Sequence, residues 1–323
     1  VVLATGSYAK TLPGLDVDGK RVITSDHALN MDYVPKSAIV LGGGVIGCEF
    51  ASVWKSFGSE VTIIEALPRL VALEDESSSK QLERAFRKRK IEFEVGNRFK
   101  SHTVNADSVT VTLENDKSFT AEVLLVAVGR GPVSAGIGYE EQGIKMDRGY
   151  VLVDNKCRTN VPGIWAVGDL IPTLQLAHVG FQEGILVAEE IAGLNPRPIN
   201  YDGVPRVTYS EPEVASVGLS TATAKERGYD VVEISYDLAG NGKSQILKTA
   251  GSVKLVAQKN GPVLGVHMVG DRVGELLAEA QLIFNWEASA DDVAPLIHAH
   301  PTMSEAMGEA FLALAGKPLH AHG

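Results

Sequence analysis

Residues 36–66 read KSAIVLGGGVIGCEFASVWKSFGSEVTIIEA, and the rest of the chain is arranged around them. An apolar run, 38–41, meets Gly42-Gly43-Gly44-Val45-Ile46-Gly47. Phe50, Ala51, Val53, Trp54 and Phe57 then recur at helical spacing until Gly58, and a second apolar run, 61–64, ends on Glu65. The order is strand, glycine turn, helix, strand, acid.

Each part has a physical task. Gly42 permits a tight turn, Gly44 lets the backbone approach a pyrophosphate, and Gly47 lets the helix sit close to the strand. The first helical residues, Val45 and Ile46, offer N–H groups and the positive end of the helix dipole to phosphates. Glu65 follows Gly47 by 18 residues, the distance at which an acid accepts hydrogen bonds from an adenine ribose. Its charge would repel a 2′-phosphate, so the stretch favours NAD over NADP. Glycine turns between strand and helix also arise for packing alone. The flanking strands and the spaced acid are what favour a dinucleotide site.

Composition narrows the class. With 323 residues the chain is too long for one ordinary core, which predicts two or three domains. An apolar share of 45% against 22% charged residues is that of a globular protein. No apolar run reaches the roughly 18 residues of a membrane helix. A net charge of −10 disfavours nucleic acid and anionic membranes as partners. Cys48 and Cys157 form neither a CxxC nor a metal pattern. They read as small buried thiols of a reducing, cytoplasmic protein, Cys48 unreactive despite its place in the first helical turn. The chain opens without Met on Val1-Val2-Leu3-Ala4-Thr5-Gly6, an apolar strand running into a turn, and so reads as the C-terminal part of a longer protein.

Further along, a short helix is expected at 25–30 and an amphipathic one at 75–89. The second has Leu82, Phe86 and Ile91 inward and a basic run (Arg84, Arg87, Lys88, Arg89, Lys90) solvated at its end. Stretches 92–95, 108–113 and 119–122 alternate as strands, with Asn115-Asp116 as a hairpin turn, and 123–128 suits a central parallel strand. Strands alternating with helices predict a doubly wound parallel sheet with an antiparallel appendage. Residues 159–169 read as a strand left at Gly168-Asp169, with a helix from Leu176 to about residue 192. Beyond residue 204, short strands joined by turns, with helices near 221–227 and 273–285, predict an antiparallel α+β module.

Taken in order, several motifs span essentially the whole chain. They are Ala4-Thr5-Gly6, the 42–65 unit, Ala127-Val128-Gly129-Arg130, residues 159–169, residues 176–184, Tyr209-Ser210-Glu211-Pro212-Glu213-Val214-Ala215, and His298-Ala299-His300-Pro301-Thr302-Met303-Ser304-Glu305. The ordered set resembles the pyridine nucleotide-disulfide oxidoreductase family of flavoproteins, most of all its dihydrolipoamide-oxidising branch. The resemblance implies an α/β fold class. It implies a doubly wound Rossmann-type NAD domain (14–128), the remnant of an FAD domain (1–13 with 129–203) and a C-terminal α+β dimerisation domain with an antiparallel sheet (204–323). It also implies NAD and FAD as cofactors. The protein would be a homodimer acting on dihydrolipoamide carried by the acyltransferase subunit of a 2-oxoacid dehydrogenase complex.

By the same resemblance, Thr5 and Gly6 touch the flavin nucleotide, Asp169 holds its ribityl or phosphate region, and Leu176, Ala177 and His178 lie against the isoalloxazine. Glu49 sits near the nicotinamide and Gly129 borders the NAD channel. His300, followed by a proline that invites a cis bond, reaches the flavin site of the other subunit and takes the proton from a substrate thiol; Glu305 orients its imidazole. Ordinary readings stand beside these: Asp169 as a helix N-cap, Glu49 as a surface residue, Ala177 as packing. The pairs His298/His300 and His320/His322 invite a metal reading, but no third ligand is spaced to complete one. His320 and His322 read as solvated, and Met303 and Met307 as core filling.

The sequence departs from the family in lacking a first GxGxxG for FAD and a Cys-x4-Cys redox pair, whose role neither Cys48 nor Cys157 matches. The expectation is that this chain alone does not turn over and that its intact parent does. Glu65-Ala66-Leu67-Pro68 stands where NADPH-linked glutathione-type reductases want arginines, and residues 313–323 lack the paired cysteine of mercuric reductases. A soluble pyridine nucleotide transhydrogenase is the alternative within the family. A non-catalytic, NAD-binding, dimerising fragment is the alternative outside it.

Overall fold

The computed structural model describes residues 1–320, which fold as two compact units. One comprises residues 1–10 with 129–201, the other 11–128 with 202 onward. Among the described residues five helices have nine residues or more: α1 (Val45–Ser56), α2 (Glu76–Lys88), α3 (Ala177–Ile191), α4 (Leu277–Asn285) and α5 (Glu305–Leu314).

The larger unit holds a five-stranded parallel sheet in the order Val22–Thr24, Val123–Val126, Ser37–Leu41, Glu60–Glu65, Ile91–Val95. Successive side chains point to opposite faces. Ala38, Val40, Val61, Ile63, Val123 and Leu125 pack with Cys48, Ala51 and Trp54 of α1 and Leu82 and Phe86 of α2. Ile39, Leu41, Ile64, Leu124 and Val126 pack with Val109, Val111 and Leu113. Both faces are buried at the centre of the sheet, which is why 38–41 and 123–126 read as unbroken apolar runs, whereas the edge strand Ile91–Val95 carries Glu92 and Glu94.

The doubly wound expectation needs correction here. Helices cover one face only, and the supposed appendage, an antiparallel meander of Phe99–Val104, Val109–Leu113 and Ser118–Ala121, forms the layer on the other. Its first strand escaped the sequence reading because Lys100, Ser101, His102 and Thr103 carry no apolar alternation. The basic run is corrected as well. Arg89 is not solvated: it donates to Ser52 Oγ, the Ser52 carbonyl, Ser56 Oγ and the Glu211 carbonyl, lashing the end of α2 to α1. Arg87 lies over the Phe93 ring at 4.4 Å.

The C-terminal part of this unit is a five-stranded antiparallel sheet in the order Arg206–Thr208, Glu213–Gly218, Val263–Gly270, Ser252–Gln258, Val231–Asp237. One face sends Ala215, Val217, Val253, Leu255, Val266 and Met268 against α4 and α5, with Met303, Met307 and Phe311 in the same core. A side chain fully buried there contributes about 1.5–3 kcal/mol. The other face sends Val214 and Val269 into the core beneath α1 and α2.

In the smaller unit, Val2–Leu3 pairs with Trp165–Ala166 and Ser7–Ala9 with Arg130–Pro132, while α3 lays Val179, Leu186 and Val187 inward. Val1 and Val2 are 74% and 45% exposed, while Leu3 packs against the core of this unit. The expected 159–169 strand shortens to Trp165–Ala166 and runs into a 3-10 turn, Gly168–Leu170. Cys157 sits at a bend with φ +59°, where burial pushes its thiol up to about 12. Among the described residues no helix is long and apolar enough to cross a membrane.

Candidate functional site

The glycine turn lies between the strand Ser37–Leu41 and α1, with Gly44 as the helix N-cap. Gly42 has φ +115°, and a Cβ there would collide with the Ala127 carbonyl; a Cβ on Gly47 would collide with the Gly42 carbonyl. Both glycines are therefore demanded by the chain's own backbone. Gly44 is different. Its φ of −75° suits any residue, and an added Cβ would meet nothing within 4 Å. The space in front of Gly44, Val45 and Ile46 is an open cradle at a helix N-terminus, which fits a pyrophosphate.

Glu65 ends its strand at the same corner. Its Oε2 accepts from the Gly43 N–H at 2.5 Å and its Oε1 from the Leu67 N–H at 2.7 Å. Cys48 is buried with its Sγ on the Gly43 carbonyl at 3.4 Å; burial, then the Glu65 and Glu49 charges, push its thiol far up, so it is inert. Glu49, one residue on, is no free surface group: its Oε1 accepts from the Tyr209 N–H at 2.8 Å. Burial raises its pKa and that bond opposes the shift.

A second arrangement is built where the chain enters α5. His300 Nδ1 lies 2.8 Å from Glu305 Oε1, and Glu305 Oε2 accepts from the Thr302 N–H at 2.8 Å. Burial would raise the Glu305 pKa, but the Thr302 N–H and His300 hold it below the ordinary value. An ionised carboxylate only accepts, so Nδ1 carries the proton and neutral His300 keeps its lone pair on Nε2. The His300 side chain is 77% exposed, which leaves that lone pair open to an incoming group. The His300–Pro301 bond is cis.

The neighbouring histidines have their own acids. His298 is turned inward, its Nε2 2.8 Å from Glu279 Oε1. His320 is not simply solvated: its N–H and Nδ1 both bond Glu309. His322 lies outside the described residues. Among the described residues no group of three ligating side chains could hold a metal. The sequence reading missed Glu279 and Glu309, since neither stands at a spacing from its histidine that carries a signal.

In the smaller unit, Asp169 caps no helix. It lies in the Gly168–Leu170 turn, where Ser7 Oγ donates to its Oδ2 at 2.5 Å and Arg130 Nε donates to Ser7 Oγ at 2.6 Å. Buried Glu183 holds that turn by accepting from the Gly168 N–H. Thr5 Oγ1 donates to the Val133 carbonyl, and the Gly129 carbonyl accepts from the Lys10 N–H. Ala177 and His178 are exposed at the start of α3, whose N-cap, Leu176, supplies no side-chain cap. An added Cβ on Gly6 or Gly168 would meet nothing within 4 Å. Small residues on an open edge fit a flavin nucleotide in kind. Ser7 and Arg130 were not singled out from sequence, although Arg130 closes the Ala127-Val128-Gly129-Arg130 motif.

Residues 1–184 match the family described as pyridine nucleotide-disulphide oxidoreductase, and 204–311 match its dimerisation domain. The chain belongs to that family. It is 42% identical over 327 residues to dihydrolipoyl dehydrogenase of Bacillus subtilis, covering 99% of this chain and 69% of that protein. It is 39% identical over 328 residues to the mitochondrial dihydrolipoyl dehydrogenase 1 of Arabidopsis thaliana, covering 99% of this chain and 64% of that protein. Among solved structures, LpdA from Mycobacterium tuberculosis superposes with a TM-score of 0.90 at 27% identity, over 97% of this chain and 69% of that one. The HOCl-induced flavoprotein disulfide reductase RclA from Escherichia coli gives 0.88 at 26%, over 96% and 72%. The fold is thus mixed α/β with an oxidoreductase and a dimerisation domain, and the latter supports a homodimer. The family match and the flavoprotein neighbour support NAD and FAD as cofactors.

Proposed function

We propose that this chain serves an NAD-linked flavoprotein that oxidises dihydrolipoamide to lipoamide, in the cytoplasm, with the dithiol presented by the acyltransferase subunit of a 2-oxoacid dehydrogenase complex. In this reading residues 14–128 are the Rossmann-type NAD domain, 1–13 with 129–203 belong to the FAD domain, and 204–323 form the dimer interface. The reading rests on Gly44, the one glycine of the turn that no atom of the chain accounts for, beside an acid hydrogen-bonded to that turn. The dihydrolipoyl dehydrogenase relatives favour dihydrolipoamide over nucleotide transhydrogenation.

Gly42, Gly44, Val45, Ile46 and Gly47 would hold the NAD diphosphate and Glu65 the ribose, with Glu49 and Gly129 toward the nicotinamide. Thr5, Gly6, Asp169, Leu176, Ala177 and His178 would hold the flavin. Bound FAD supplies a two-electron relay between thiols and nicotinamide. His300 Nε2 takes a thiol proton of the substrate while Nδ1–H stays on Glu305, which stabilises the imidazolium that forms. Dihydrolipoamide loses two electrons and two protons; NAD⁺ takes a hydride, and one proton is released. Cys48 and Cys157 are buried and unbridged, so neither is assigned the redox disulfide, and the chain by itself binds nucleotide without turning over.

Calorimetric titration tests the binding half. Tight NADH with weak NADPH supports it, and equal or no binding overturns it. An assay of NAD⁺-dependent dihydrolipoamide oxidation by this chain with added FAD tests the second half, which robust turnover would refute.

A further inference from the structure

A row of polar side chains crosses the antiparallel sheet on the face turned from α4 and α5. Arg206 pairs in register with Ser216, Ser216 with His267, and His267 with Lys254. Alternate residues on these strands fill the apolar core behind, so the row is not a register error but a buried polar line. It meets two acids at the head of α2. Lys254 Nζ reaches Asp75 Oδ1 at 3.0 Å, and Arg206 Nε lies 3.7 Å from Glu74 Oε1. Asp75 Oδ2 also accepts from the Thr221 N–H at 3.1 Å. His267, Glu74 and Asp75 are buried and Lys254 is nearly so, which limits solvent screening of the Lys254–Asp75 contact, while Arg206 is half-buried at the end of the row.

Glu74 and Asp75 end the segment that leaves Glu65, and its other end is fastened to the glycine turn. The Val71 N–H donates to the Gly43 carbonyl at 2.8 Å, the Leu70 side chain lies against Gly43, and Leu67 N–H bonds Glu65. Arg69 stiffens the span between, donating to the Glu74 and Ala72 carbonyls. Residues 66–75 are therefore a strut with the turn at one end and the polar row at the other. Leu70 and Val71 are buried in the core at the turn's end of this span, while Leu73 is 95% exposed, so beyond Val71 the segment takes its hold from the Arg69 bonds and from Glu74 and Asp75.

We propose that Lys254, with Asp75, Arg206 and Glu74, positions the nucleotide-binding turn from the C-terminal sheet through residues 66–75. This rests on the dinucleotide reading of the turn only for its binding consequence. A fixed supporting shell is what a site needs to hold its geometry.

The test is Lys254→Met in the full chain, with Lys254→Arg as the rescue. Should Lys254→Met fail to fold, the Asp75→Asn, Lys254→Met double variant leaves no unpaired buried charge and keeps a capping side chain on α2. Amide hydrogen exchange at Gly43, Leu67 and Val71 is expected to run about tenfold faster, with α5 unchanged, because opening is local. NADH binding is expected to weaken about tenfold, and Lys254→Arg to restore both. A folded variant with normal protection at Gly43 and Val71 overturns the proposal. Lost protection with no NADH binding even by the unmodified chain leaves the strut standing and removes the dinucleotide reading instead.

Discussion

The backbone N–H of Gly43 donates to Glu65 Oε2 at 2.5 Å, so the acid ending one strand is already fastened to the turn ending its neighbour. With Leu67 N–H on the other oxygen, the carboxylate's rotamer is set before any ligand arrives, and each oxygen keeps a lone pair for a sugar hydroxyl. Little ordering is left for binding to oppose. Glu65→Gln places an NH₂ against one of two N–H donors. NADH affinity should fall about tenfold or more, while discrimination against NADPH relaxes with the lost charge. Titration of both nucleotides into both proteins checks this.

The three glycines separate by experiment. Gly47→Ala forces a Cβ into the Gly42 carbonyl and should cost upwards of about 3 kcal/mol of stability, whatever the ligand. Gly44→Ala meets no atom and keeps an allowed backbone, and the entropy it removes from the unfolded chain is offset by alanine's poorer capping, so its melting temperature should change little. It should nevertheless lose NADH binding. Thermal melts with and without NADH read out both, and a Gly44→Ala variant that still binds would remove the pyrophosphate from this turn.

Much of this was legible because local chemistry and tertiary demand agree. The run at 38–41 is apolar throughout since both sheet faces are covered, and the turn needs glycine for reasons visible in the motif itself. What escaped notice depended on distant partners. Arg89 looks like any terminal helix base until Ser52 and Glu211 come beside it. The helix-rich doubly wound pattern failed at one face because Val109, Val111 and Leu113 cover the sheet as well as a helix would. The polar row of Arg206, Ser216, His267 and Lys254 sits on four strands, and each residue alone reads as surface.

Asp75 gives a pH dependence with a definite sign. Burial would raise its pKa, but the Ser77 hydroxyl and N–H and the Lys254 ammonium hold the carboxyl far below the ordinary value. Burial also keeps His267 below its own ordinary value, so at neutral pH the weight falls on Ser77 and Lys254. A folded-state value below the unfolded one means stability present above about pH 4 and lost as pH falls toward the folded value. The stability gap between the unmodified chain and Asp75→Asn should therefore narrow as urea unfolding is repeated from about pH 7 to about pH 3. A constant gap would mean that Asp75 does not titrate differently on folding.

The His300–Glu305 pair makes the last prediction, about a proton rather than a fold. Glu305 accepts with both oxygens, one from Thr302 N–H and one from His300 Nδ1–H, so neutral His300 must expose its lone pair on Nε2. Glu305→Gln has one oxygen for two donors. Keeping the Thr302 bond turns the amide NH₂ toward Nδ1, which must then accept, and the ring proton moves to Nε2. Nitrogen NMR of the neutral ring should show a pyridine-like Nε2 in the unmodified chain and a pyrrole-like Nε2 in Glu305→Gln. In a turnover-competent assembly the same change should lower thiol oxidation about 10²–10⁴-fold, the range typical of a lost general base. A pyrrole-like Nε2 in the unmodified chain would leave His300 with no lone pair to offer a thiol.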